Sequence, residues 1–271
     1  MAKKSCTAQY FCPPVRYSDN LKKTFVIMKK VRLFTLLAMA AFAATGCTIY
    51  HPQAVDIPLI NHAGDTRVDA SFSMSTFILP DNFSLNVTAS HGFNDWFAGQ
   101  AHVNYGGDSY YAQLAPGAYY PLGAKSVLEG YVGLGFGGAA RGDNSSDYSE
   151  NSSNNYSFSG HYLLPFAQAN IGWHDLTFAH FDLALGLKCG AFLPDYEYYE
   201  VNGSGDEIAG TRQTYTTTNF LFEPQAMVRF GGEHLKFNVR FGLAFLNDIN
   251  SSSNKFIYDY ATYSAGLTFS F

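Results

Sequence analysis

The sequence predicts an all-β protein, an antiparallel barrel of about ten strands that crosses a membrane. Three observations predict it. From Thr66 onward, apolar and polar residues alternate in runs of about 10 to 16, the period of a strand whose two faces meet different surroundings. The connections between the runs are alternately short and long for most of the chain. The last eight residues, SAGLTFSF, keep the alternation up to an aromatic final position. Composition agrees: charged residues make up 14% of the 271, against roughly 25% in an ordinary soluble domain. Aromatics reach 17% and there are 25 glycines.

The runs can be taken in order, at 66–77, 83–93, 95–105, 110–120, 126–139, 156–172, 176–192, 215–231, 234–246 and 256–271. In the second, Phe83, Leu85, Val87 and Ala89 alternate with Ser84, Asn86, Thr88 and Ser90. In the third, Phe97, Gly99, Ala101, Val103 and Tyr105 form the apolar set. In the ninth it is Leu235, Phe237, Val239, Phe241, Leu243 and Phe245. Such runs reach the 9 to 11 or so residues that a tilted strand needs to cross a bilayer. Short connections follow the second, fourth, sixth and eighth runs; long polar ones, 140–155, 193–214 and 247–255, follow the fifth, seventh and ninth. Short periplasmic turns and long extracellular loops are expected of a transmembrane barrel. An even count places both ends of the barrel on the periplasmic side. Eight or twelve strands remain open, because the sixth run loses its phase near Pro165.

Ahead of the barrel, 66–271, the chain divides into three stretches. Residues 1–27 carry no periodicity and read as an upstream extension outside the fold. Residues 28–46 open MKKVRLF, with Lys29, Lys30 and Arg32 before a short apolar run, Leu33 to Ala44, and end on Ala44-Thr45-Gly46 before Cys47. The apolar run suits export and is too short to span a bilayer. This pattern resembles the lipobox of bacterial lipoproteins. The resemblance implies a signal peptide cut before Cys47, with a lipid on the Cys47 sulfur seated in the inner leaflet of the outer membrane. Residues 47–65, with Pro52 and Pro58, then read as a periplasmic linker.

The end of the chain extends the resemblance. Ser264, Gly266, Phe269 and Phe271 are similar to the C-terminal signal by which outer-membrane proteins are recognised for assembly. Over residues 47–271 the chain therefore resembles the small outer-membrane β-barrel family of bacteria, in lipidated form. The resemblance implies a bacterial outer-membrane location, contact with outer-membrane lipid and passage through the barrel-assembly machinery. It implies a structural, surface-interaction or narrow porin-like role and names no surface ligand. Two other readings are a periplasmic lipoprotein with a soluble barrel around an apolar ligand, and an outer-membrane barrel enzyme.

If the apolar set faces lipid, the opposite set faces the lumen. It includes Arg67, Asp69, Glu129, Asp182, Lys188, Glu223, Arg229, Lys236 and Arg240. Four acids and five bases nearly cancel, which suits either a packed, ion-paired interior or a narrow polar pore.

Other chemistry is sparse. His161, His174, His180 and His234 are scattered; His174-Asp175 falls in a periplasmic turn, and His180 and Asp182 share one face at the start of the seventh run. No nucleophile–base–orienter set emerges, so no enzyme activity is expected. Cys6, Cys12, Cys47 and Cys189 have no metal-ligand spacing, and no metal or cofactor is expected. Cys189 reads as a small hydrophobe on the lipid face. Arg141-Gly142-Asp143 reads as a turn-rich loop. Asp195, Glu197 and Glu200 read as solvated acids among girdle tyrosines Tyr196, Tyr198 and Tyr199. Residues 1–46 hold eight Lys/Arg and one acid, a net of +7 against −5 for the chain, so −12 remains after cleavage. An acidic chain is a poor nucleic-acid binder, since phosphate contacts need Lys and Arg, and no nucleic-acid partner is expected.

Overall fold

The computed structural model describes residues 50–53, 55, 57–75, 84–106, 109–141, 155–176, 180–202, 206–248 and 258–271. The signal segment, Cys47, Gly142, Asp143 and the expected loop tips lie outside these residues. The strands are β1 (Thr66–Ser75), β2 (Ser84–Gly92), β3 (Phe97–Gly106), β4 (Ser109–Pro121), β5 (Ser126–Arg141), β6 (Asn155–Trp173), β7 (Asp182–Val201), β8 (Gln213–Tyr215), β9 (Asn219–Gly231), β10 (Leu235–Leu243), β11 (Phe245–Asp248) and β12 (Ala261–Ser270).

Ten of them form a closed ring. Each of β1 to β7 pairs antiparallel with the next, β7 pairs with β9, β9 with β10, β10 with β12, and β12 returns to β1. The two remaining strands extend this ring. β8 hairpins onto the outer end of β7, and β11 resumes the line of β10 after a break at Ala244. Closure leaves no unpaired edge along the ring, which a bilayer requires because hydrocarbon offers backbone groups no partner.

The side chains explain why the sheet closes with this face outward. On β1, Arg67, Asp69, Ser71 and Ser73 are buried while Phe72 stands 66% exposed; on β4, Tyr111, Gln113 and Ala115 are buried while Leu114 stands 69% exposed. Around the ring Val103, Val132, Leu134, Leu185, Phe222, Phe237, Val239, Phe241 and Leu267 all point out and are exposed. An apolar surface that encircles the molecule far exceeds the few hundred Å² that a water-soluble monomer tolerates. In a bilayer the same surface is the stable one. The soluble barrel around an apolar ligand would need the opposite assignment, polar outside and apolar inside, and is not what forms.

The wall is uneven in height. β1, β2, β3, β10 and β12 have 9 to 10 residues, the length of one tilted crossing. β5, β6 and β7 have 16, 19 and 20, and their outer halves rise beyond that height. Two of the prolines in the wall, Pro116 and Pro165, lie at gaps in its pairing. Pairing of β4 with β5 skips Ala115 and Pro116, and that of β6 with β7 skips Leu164 and Pro165, yet the register is the same on both sides of each gap. Proline removes one ladder donor and leaves the phase intact. The loss of phase expected at Pro165 is therefore not a change of face. Phe158, Tyr162, Leu164, Phe166, Gln168 and Asn170 all point inward, and the inner face turns from aromatic to polar along its length.

The seventh run departs furthest from expectation. It was expected at 176–192 and forms at Asp182–Val201, so residues 193–201, expected as loop, are strand. His180 lies in the preceding turn with a left-handed φ of 45° and does not share a strand face with Asp182. Tyr196 points inward and is fully buried, and does not join the outer girdle.

Candidate functional site: the filled lumen

All nine inward-facing charges are buried. They form clusters that tie distant strands together. At the junction of β1, β12 and β10, Arg240 donates to Asp69, to Ser71 Oγ at 2.8 Å and to Asn238 Oδ1 at 3.0 Å, while Thr268 donates to Asp69 at 3.0 Å. Toward the turn end, Lys236 Nζ lies 2.7 Å from Asp182 Oδ1 and Arg229 Nη1 lies 3.8 Å from Asp182 Oδ2. Midway up the lumen, Lys188 Nζ lies 3.7 Å from Glu223, donates to Gln113 Oε1 at 3.1 Å and stands 4.9 Å over the Phe166 ring. Arg67 reaches Asp65 at 3.5 Å. Glu129 accepts from Asn170 Nδ2 at 3.1 Å.

The remaining partners come from an element the alternation did not reveal. The stretch expected as part of a periplasmic linker runs inside the barrel. Tyr50, Val55, Ile57, Leu59 and Ile60 are all 0% exposed. The Tyr50 hydroxyl donates to Glu223 at 2.6 Å, and its ring packs edge-on against Tyr162 and Phe192. Arg229 donates to the carbonyls of Ile57 and Pro58. The Ile60 amide donates to Glu129 Oε1 at 2.8 Å. Leu59 takes a left-handed φ of 58°, uncommon for a branched residue, at the bend where these two anchors meet. Below it, Gly64 N bonds Gly92 O at 2.8 Å, and the chain enters β1. The contacts of Tyr50 to Ile60 come from the inner faces of β5, β6, β7 and β9, so the segment occupies the lumen itself.

The physical reason is charge. A carboxylate or guanidinium held out of water costs several kcal/mol unless hydrogen-bonded. Glu129, Glu223 and Arg229 each find part of that bonding in residues 50–60. The apolar residues of the segment meanwhile fill the centre that ten strands leave open. A cavity of about 10 Å³ beside Pro52, Lys188 and Glu223 has room for about one water.

At the turn end the histidines gather. Asp175 lies 2.9 Å from His180 Nδ1, 3.5 Å from His174 Nδ1 and 3.4 Å from Lys236 Nζ, while His174 Nε2 lies 3.2 Å from Asn61. Partial burial would raise the Asp175 carboxyl, but its hydrogen bonds to His180, Lys236 and His174 win and hold it at about 2. The charged form therefore adds stability above the ordinary carboxylate value, and this is lost as pH falls from about 4 toward 2. The side chain is 47% exposed, so screening limits the worth to about 0.5 kcal/mol. Asp175→Asn is expected to lower the unfolding midpoint in urea slightly at pH 6 and by less at pH 2. An equal gap at both values would show that the charge is not the cause. Among the described residues no group of three or more metal-ligating side chains converges.

Above the rim, Arg212 ties Glu197 at 2.7 Å and Glu207 at 2.6 Å and lies over the Tyr199 ring. The Arg212–Glu207 pairing lowers the Glu207 carboxyl and raises the Arg212 guanidinium. Glu197, expected as solvated, is paired; His161 lies 3.8 Å from Asp195, both exposed. Cys189 faces outward on β7 as a free thiol. At the end of the chain, Ser264 points inward and Phe269 and Phe271 outward.

No protein-family model matches the chain, and no curated protein matches it at significance. Solved structures similar to it are outer-membrane barrels. They include the KdgM porin in complex with disordered oligogalacturonate, 13% identical with a TM-score of 0.33 over 76% of this chain and 99% of that one. Ail, the attachment invasion locus protein of Yersinia pestis, is 12% identical with a TM-score of 0.35 over 77% of this chain and 99% of that one. The translocator domain of the autotransporter NalP from Neisseria meningitidis is 10% identical with a TM-score of 0.32 over 93% of this chain and 98% of that one. Similarity this low transfers no ligand or activity. The barrel rests on its own hydrogen bonding.

Proposed function

We propose that this chain is a bacterial outer-membrane lipoprotein whose ten-stranded barrel is closed by its own N-terminal segment. It acts as a structural or surface-interaction protein without enzyme activity. The observation that supports this most is the filled lumen: Tyr50 to Ile60 occupy the axis and bond Glu129, Glu223 and Arg229. A narrow pore along the axis would need that space. The elongated outer ends of β5, β6 and β7 are the surface best placed for contact with an external partner. The apolar belt supports the location, and the resemblance of the stretch before Cys47 to a lipobox supports lipidation. Assembly would use the barrel machinery through the C-terminal aromatic signal.

The test is heat-modifiability of the outer-membrane fraction with wild type and Cys47→Ala. A folded barrel resists detergent unheated and changes mobility on boiling. Both proteins are expected to shift and to stay in the membrane after a carbonate wash, and only wild type is expected to take up labelled palmitate. Release of Cys47→Ala into the soluble periplasm would overturn the membrane barrel.

A further inference from the structure

The direction in which the N-terminal segment runs through the lumen decides where the mature N-terminus emerges. Tyr50 lies at the loop end. It forms a parallel bridge with Tyr258, and its carbonyl accepts from Asp259 N at 3.0 Å; His51 contacts the Asp259 carboxylate. These partners belong to the connection between β11 and β12, where Ala244 N also bonds Tyr260 O at 2.9 Å. From there the chain descends past Glu223, Arg229 and Glu129 to Asn61 and His174, and joins β1 at the turn end.

Cys47 precedes Tyr50 by three residues, a reach of about 10 Å. The two ends of the barrel are further apart than that. A strand of ten residues such as β12, rising about 3.3 Å per residue and tilted by about 40°, spans about 25 Å. Three residues cannot bring Cys47 back to the periplasmic side.

We propose that the N-terminal segment threads the barrel from end to end, so that the mature N-terminus lies at the cell surface and the Cys47 lipid enters the outer leaflet. This rests on the outer-membrane lipoprotein reading above. It reverses the inner-leaflet position that the sequence suggests. The plug is then tethered at the outer leaflet and cannot leave toward the periplasm without dragging the lipid through the lumen.

An epitope inserted after Thr48 tests this in whole cells, with palmitate labelling and heat-modifiability read on the same protein. Antibody is expected to bind intact cells at least half as well as permeabilised ones. Binding only after permeabilisation, by a protein that still shifts on heating, overturns the threading. Loss of palmitate with surface binding retained would instead count against the lipid and leave the threading supported. A second variant covers failure of the tagged chain to fold: His51→Cys with Asp259→Cys in a Cys189→Ser background. A disulfide between the two introduced cysteines is expected in intact cells, and its absence under oxidant overturns the threading.

Discussion

Asp69→Ala is expected to remove the folded, heat-modifiable form or to lower its unfolding free energy by about 3–5 kcal/mol. Asp69 is fully buried on β1 and gathers Arg240 and Asn238 from β10 and Thr268 from β12. These three strands meet where the end of the chain closes on its beginning. Removing the carboxylate leaves the Arg240 guanidinium in the interior without its counter-charge, which costs more than the lost hydrogen bonds alone. Asp69→Asn keeps the shape and some of the bonding and is expected to fall between the two. Urea unfolding in detergent, followed by the gel shift, measures both. A loss under about 1 kcal/mol for Asp69→Ala would show that water replaces the carboxylate and that the lumen is wet.

Gly266→Val is expected to prevent closure. Gly266 on β12 pairs with Ser71 on β1, and a Cβ there would collide with the Ala70 carbonyl and with the Ser71 backbone and Cβ. These atoms belong to the sheet and not to a flexible side-chain end, so the strands themselves must part. The variant is expected to appear only as the unshifted, protease-sensitive band. Gly130→Val is the control, since nothing lies within 4 Å of a Cβ at Gly130. Equal folding of the two would remove close approach as the reason for glycine at 266. The same position carries the sequence resemblance to the assembly signal, so a folding test with purified chain and detergent separates a steric role from recognition by the machinery.

The strands were legible where their two faces differ in chemistry. β2, β3 and β10 alternate Ser, Asn, Gln, Lys or Arg with Val, Leu or Phe, and the nine charges show their direction because each sits on the polar side of that alternation. Legibility fails where both faces are apolar. Around the outer half of β6 and β7 the lumen is lined by Tyr162, Leu164, Phe166, Phe192 and Tyr196, so inside and outside look alike. This is why the end of β7 is read nine residues short, at 192 where the strand runs to Val201, and why Pro165 looks like a change of face.

The lumen segment was missed for a different reason. Residues 50–65 have two prolines and no period, since an extended chain inside a barrel touches walls on every side and has no solvent face to mark. The available signal was composition: Val55, Ile57, Leu59 and Ile60 are too apolar for a linker in water. The buried charges carried a second signal. Glu129, Glu223 and Arg229 need more bonding than the strand side chains supply, and the missing partners are Ile60 N, the Tyr50 hydroxyl and the Ile57 and Pro58 carbonyls.

Single-channel recording in a planar bilayer, with wild type beside a chain lacking residues 50–60, tests the closed barrel most directly. The filled lumen predicts a silent wild type and steady ohmic steps from the deletion, whose polar interior would then hold water and ions. Steps of equal size from both proteins would contradict it, because ions would then be passing through space that Tyr50 to Ile60 are said to occupy.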